Sequence, residues 1–271
     1  MHVVDPKTFP LDKNAAYQPS PHTIHDAHQF LGALGIQKMV IVQPSIYGND
    51  NSCTLDGLKQ LGPKNGRAII QFDPADTSSA QLQEWHNLGV RGVRLNFKSV
   101  GVRPEGASFA AMVHKYADAV RPFGWVLAFY IGMEDLHLLE HVVPDLGGIK
   151  VCIDHFAHPS AVSLATAQSS DVLPGFASLV NLLAMNNVWV KVSAAYRLDR
   201  DAFHPLVQSL ARWLLRTRPD RCVFATDWPH TRFEDVDVSV YLEQLFHWCD
   251  EENVPLKQVL VDNAEELFDV E

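Results

Sequence analysis

Eight short runs of nearly continuous apolar residues recur along the 271-residue chain, at 2–4, 38–43, 67–72, 92–96, 126–130, 150–155, 188–192 and 221–225. Between them, apolar residues return at helical spacing over 24–34, 55–61, 79–87, 107–121, 133–143, 174–184 and 204–216. A further helix is predicted over 238–251, and Asn263 is predicted to cap a short terminal one. Runs that are apolar on both faces describe strands buried on both sides, as in a parallel sheet covered by helices. Eight strand–helix units in a chain of this length predict a (β/α)8 barrel, read as a single domain over 1–271. An open doubly wound sheet is the alternative, but no Gly-rich phosphate loop follows any run.

In such a barrel the loops after the strands build the site. The segment 5–21, with Pro6, Pro10, Pro19 and Pro21, is placed to fold over the mouth. The Ala-, Ser- and Thr-rich stretch 158–174 is a second irregular segment of that kind.

Charge narrows the class. Lys and Arg total 22 against 32 acidic residues, a net charge of −10 that argues against nucleic acid as a partner. No apolar stretch reaches the roughly 20 residues of a membrane span. Residues 1–6 lack the basic start and apolar region of a signal peptide. Cys53, Cys152, Cys222 and Cys249 show no zinc or redox spacing, and Cys152 and Cys222 read as small buried side chains. The expectation is a reduced, soluble, cytoplasmic protein whose oligomeric state the sequence leaves open.

The chemistry collects at the ends of the runs. In Val223-Phe224-Ala225-Thr226-Asp227-Trp228-Pro229-His230, alternation puts Asp227 on the face of Val223 and Ala225, pointing inward. Asp227 is the candidate general base, with a loop cap as the alternative. His155 is read in phase with Val151 and Ile153, either as a polarising or water-binding group or as a core histidine bonded to backbone. Arg94 shares a strand face with Asn96, and a buried arginine calls for an anion or an internal salt bridge. Arg197 is a weaker candidate of the same kind. Tyr130 either donates to a carboxylate or caps the core. His22, His25 and His28 lie near one helix face with only Asp26 beside them, and they are not assigned to a metal.

Taken together, Thr226-Asp227-Trp228-Pro229-His230, Asp154-His155, Gly89 to Phe97 and the opening His2-Val3-Val4-Asp5-Pro6 resemble the amidohydrolase superfamily. Within it the chain is most similar to the 2-pyrone-4,6-dicarboxylate lactonase group. Asn14 to Pro19, Val42 to Ser45 and Lys191 to Arg197 extend the match. The resemblance implies an amidohydrolase-like barrel with its site at the strand C-termini. Metal-dependent members use a His-x-His pair on the first strand, whereas this chain has His2 alone. They place a ligand histidine on a strand that here ends in Tyr130, a poor ligand near neutral pH.

The lactonase group works without metal or other cofactor, so the resemblance implies a metal-independent hydrolase of a small anionic lactone. Asp227 would take a proton from water and later return it to the leaving oxygen, while His155 and His2 stabilise the oxyanion. Arg94, Arg197, Tyr130, Ser45 and Tyr17 would bind the substrate. Where the lactonases carry a second arginine shortly after Arg94, this chain has Lys98. Two rival readings stand beside this one. One is a metal-dependent amidohydrolase or decarboxylase of an aromatic or unsaturated carboxylic acid. The other is a barrel that has lost catalysis and binds a metabolite.

Overall fold

A computed structural model describes residues 1–201 and 203–270. Seven of the eight predicted runs form strands: β1 (Met39–Val42), β2 (Gly66–Ile70), β3 (Val90–Asn96), β4 (Val126–Tyr130), β5 (Val151–Ile153), β6 (Val188–Ser193) and β7 (Cys222–Ala225). They pair in chain order, every pair parallel. Helices α1 (Ile24–Ala33), α2 (Ser52–Leu61), α3 (Ser79–Leu88), α4 (Gly106–Val120), α5 (Leu136–Val142), α6 (Ala161–Thr166), α7 (Phe176–Ala184), α8 (Pro205–Thr217), α9 (Ser239–Glu251) and α10 (Asn263–Phe268) complete the chain. None of the described helices is long and apolar enough to cross a membrane.

The closed eight-stranded barrel is corrected to a curled seven-stranded half-barrel, because the run at 2–4 makes no strand. Met1 takes a parallel position beside β1, its amine donating to Val40 O at 3.2 Å and its carbonyl accepting from Val42 N–H at 2.8 Å. His2 N–H turns the other way, to Trp228 O at 2.7 Å. Val4 then leaves to pair antiparallel with His22. Among the described residues, Met1 bonds to β1 and His2 to Trp228 O, contacts that do not extend into a ladder with either side.

Alternation sorts the strands into two packed layers. Val42, Ile69, Val126, Ala128, Cys152, Trp189 and Val223 pack inside the curl, with Leu267 and Phe268 of α10 beneath them. Ile41, Val151, Ile153 and Val190 face the helices. Asn263 does not cap α10. It is that helix's first residue, and its amide donates to Pro219 O (2.6 Å) and Cys222 O (2.7 Å), pinning the start of β7. The stretch 158–174, read as irregular, contains α6, which Ser160 caps by accepting from Ser163 N–H. Segment 5–21 does cross the mouth: Asp12 N–H bonds Ile46 O at 2.8 Å, and Tyr17 Oη donates to Thr231 Oγ1 at 3.5 Å. Asp26 is engaged by Thr23 in the capping box of α1, which removes the acid nearest the three histidines there.

Candidate active site

The backbone is strained where the strands end. His155, Phe156, Ala157 and His158 run consecutively at φ 51°, 55°, 59° and 47°, and Ala194, Asp227 and His230 have φ 52°, 57° and 60°. None is glycine, so each residue meets a steric cost that its surroundings must offset. This turn corrects the phase assigned to His155. Val151 and Ile153 face the helices, and Asp154, not His155, continues the inward face of Cys152. The left-handed turn immediately after Asp154 is what swings His155 inward, to 6% exposure.

Asp227, 6% exposed, has one crowded oxygen and one open one. Oδ2 accepts from Tyr196 Oη at 2.7 Å and from Arg197 Nε at 2.5 Å. Oδ1 takes no hydrogen bond among the described residues, and His155 Nε2 stands 3.8 Å from it. Burial pushes the carboxyl pKa up. The Arg197 charge, with the Tyr196 hydroxyl donating to the carboxylate, outweighs that and holds it well below the usual carboxylate range. Burial likewise drives Tyr196 upward, reinforced by the Asp227 charge, so its hydroxyl stays a donor.

The histidines are held neutral and in defined orientations. His2 Nδ1 lies 2.7 Å from Val42 O, which can only accept, so Nδ1 carries the proton and Nε2 exposes a lone pair. Burial, and then the Arg94 charge, lowers its pKa to about 3. His155 Nδ1 lies 2.9 Å from Ser193 Oγ, and burial lowers its pKa too. Tyr130 meets His155 edge-to-face at 5.0 Å and His158 at 5.2 Å, with its hydroxyl 3.5 Å from His158 Nδ1. Burial raises the Tyr130 pKa to about 12 and lowers that of His158 to about 3.

Arg94 reaches the same interior at 5% exposure. Its Nη1 donates to Gln43 O at 2.8 Å, its Nε is buried without an acceptor, and Tyr130 lies 6.0 Å from its guanidinium carbon. Among the described residues it is in no salt bridge, whereas Arg197 is. Ser45 opens a short turn after β1 and is half-buried at the rim. Tyr17 lies further out, against Thr231 and under Arg232. Asp227, His155, Arg197 and Tyr130 are therefore joined by direct contacts, Arg94 borders them, and Ser45 and Tyr17 stand at the edge.

Three features escaped the sequence reading. Tyr196 is given no role from the sequence, and only its adjacency to Arg197 could have drawn attention to it. The buried pair Lys191–Asp154 (2.7 Å) spans β6 and the end of β5, and strand alternation could have placed both residues inward. His158, three residues beyond His155, carries no signal of its own in the sequence and is placed beside Tyr130 only by the fold.

Comparison with known proteins gives a consistent outcome. A family model described as amidohydrolase matches residues 2–270. A 4-sulfomuconolactone hydrolase of Hydrogenophaga intermedia is 31% identical over 98% of this chain and 86% of that protein. A 2-pyrone-4,6-dicarboxylate hydrolase of Comamonas testosteroni is 28% identical over 98% of this chain and 88% of its own length. A crystal structure from Pseudomonas putida, described as a candidate 2-pyrone-4,6-dicarboxylic acid hydrolase, superposes with a TM-score of 0.80 at 28% identity, covering 99% of this chain and 95% of that one.

Proposed function

The chain belongs to the amidohydrolase family, and we propose that it is a carboxylic ester hydrolase that opens a small, carboxylate-bearing lactone without a metal. The observation that carries this reading is the asymmetry of Asp227. One oxygen is fastened by Tyr196 and Arg197, and the other is open toward His155 across 3.8 Å. A carboxylate oriented in this way can take a proton from water while that water attacks an ester carbonyl. The lactone-opening relatives support the same chemistry.

His155 supplies the oxyanion donor. With Ser193 Oγ–H donating to its Nδ1, the neutral ring presents Nε2–H to the developing oxygen charge. His2 is fixed in the opposite tautomer by Val42 O, and its Nε2 is an acceptor. It therefore orients the attacking water rather than the carbonyl, which revises the oxyanion role expected for it. Collapse of the tetrahedral adduct breaks the ring C–O bond, and the proton on Asp227 passes to the departing oxygen. The products are an alcohol or enol and a carboxylic acid, which releases its proton to water as a carboxylate, with no redox change. Arg94 binds the substrate carboxylate, Tyr130 donates to the ring, and Ser45 and Tyr17 line the way in.

The donor set does not suit a divalent cation. Asp227 Oδ2 faces the Arg197 guanidinium. Among the described residues no three His, Cys, Asp or Glu side chains converge on one point. The test is elemental analysis of purified protein, with lactone hydrolysis measured before and after chelation. Chelator-resistant opening of lactones by metal-free protein, abolished in Asp227→Asn, is the expected result. About one equivalent of metal with chelator-sensitive turnover would replace this reading with a metallohydrolase.

A further inference from the structure

Building on the lactone reading, we propose that the site selects a substrate bearing one anionic group, seated on Arg94, and discriminates against a second. The argument is a charge inventory of the interior. Three side-chain cations are buried there, Arg94, Lys191 and Arg197, against two carboxylates, Asp154 and Asp227. Lys191 lies 2.7 Å from Asp154, and Arg197 lies 2.5 Å from Asp227. No carboxylate among the described residues comes within 4.0 Å of Arg94. The interior therefore holds one cation more than it neutralises, and that cation has a buried Nε without an acceptor.

A guanidinium does not shed its proton in a protein, so Arg94 cannot escape the cost of burial by becoming neutral. An anion on the substrate removes that cost, and one monoanion balances the interior completely. A neutral lactone leaves the excess charge in place.

Among the described residues, a second anionic group finds no comparable partner. Lys98, two residues beyond β3, lies 4.0 Å from Glu134 Oε1, and both side chains are about one-third exposed (32% and 33%). Glu134 Oε2 is buried without a donor, so this rim opposes a carboxylate more than it attracts one. Arg200 is paired with Asp235 at 3.0 Å. Arg232 lies exposed over Tyr17, where solvent screens it. Recruiting Arg197 instead would strip Asp227 of its partner.

The experiment compares three matched lactones of one ring size: uncharged, monocarboxylate and dicarboxylate. The expected kcat/KM for the monocarboxylate exceeds each of the others at least tenfold. Arg94→Gln should collapse its advantage over the neutral lactone through KM, with kcat much less affected. Glu134→Gln, a rim substitution, should raise turnover of the dicarboxylate severalfold, and it tests the proposal even if Arg94→Gln does not fold. Equal or better turnover of the dicarboxylate by the unmodified protein overturns the single-anion inference and leaves lactone opening intact. If no lactone is opened, the hydrolase reading fails. Calorimetric binding of the matching lactam mono- and dicarboxylates then still decides the charge selection, tighter binding of the monocarboxylate supporting it and the reverse overturning it.

Discussion

The guanidinium of Arg197 holds the carboxylate of Asp227 through Nε at 2.5 Å, reaching it from the short turn Ala195–Arg197 that follows β6. Ala194 at φ 52° and Asp227 at φ 57° bring the two chain segments together. That contact, with Tyr196 beside it, sets both the orientation of the carboxylate and its affinity for a proton.

Arg197→Met should therefore move the acid limb of the kcat/KM–pH profile upward by about 1–3 units. The sign follows from the depressed Asp227 pKa: losing the cation raises it, so the base stays protonated to a higher pH. A pH–rate profile of the variant checks this, and an unmoved limb would mean that Asp227 is not the titrating base.

Tyr196→Phe removes one of the two donors to Oδ2 and leaves the ring packing against His230 and Phe233. A hydrogen bond to a charged group contributes about 1.5–3 kcal/mol. The expected outcome is a fall in kcat of roughly tenfold or more at neutral pH, with KM little changed, because the hydroxyl touches the base and not the substrate. A loss confined to KM would instead place Tyr196 in substrate binding.

Lys191→Met leaves Asp154 buried without its cation. Breaking a buried pair from one side costs about 3–5 kcal/mol, so denaturant unfolding should show a loss of that order. Asp154→Leu combined with Lys191→Met should recover much of it, since neither charge then remains inside. A double variant no more stable than Lys191→Met would show that the pair is not the source of the loss.

Gly175→Ala tests the packing beneath the mouth. Gly175 has φ 86°, and a Cβ there would lie 1.8 Å from Met133 O, inside the turn that follows β4. The clash is with backbone, and the conformation is one that L residues rarely adopt, so a loss above about 2 kcal/mol in chemical unfolding is expected.

Much of the fold was legible along the chain. The continuous apolar runs announced parallel strands buried on both faces, and seven of eight formed where the pattern placed them. Alternation alone put Arg94 beside Asn96 and aimed Asp227 inward, because strand geometry repeats every two residues. The same rule failed for His155, where four consecutive left-handed residues override the alternation, and failed at 2–4, where Met1 pairs beside β1 but Val4 turns away to pair with His22. Closure of the sheet, the tautomer of His2, the Tyr196–Arg197 grip on Asp227 and the unpaired charge of Arg94 were decided only in three dimensions. Each depends on which groups from distant segments share one buried space, and low-dielectric proximity is a property of the folded chain that residue order does not display.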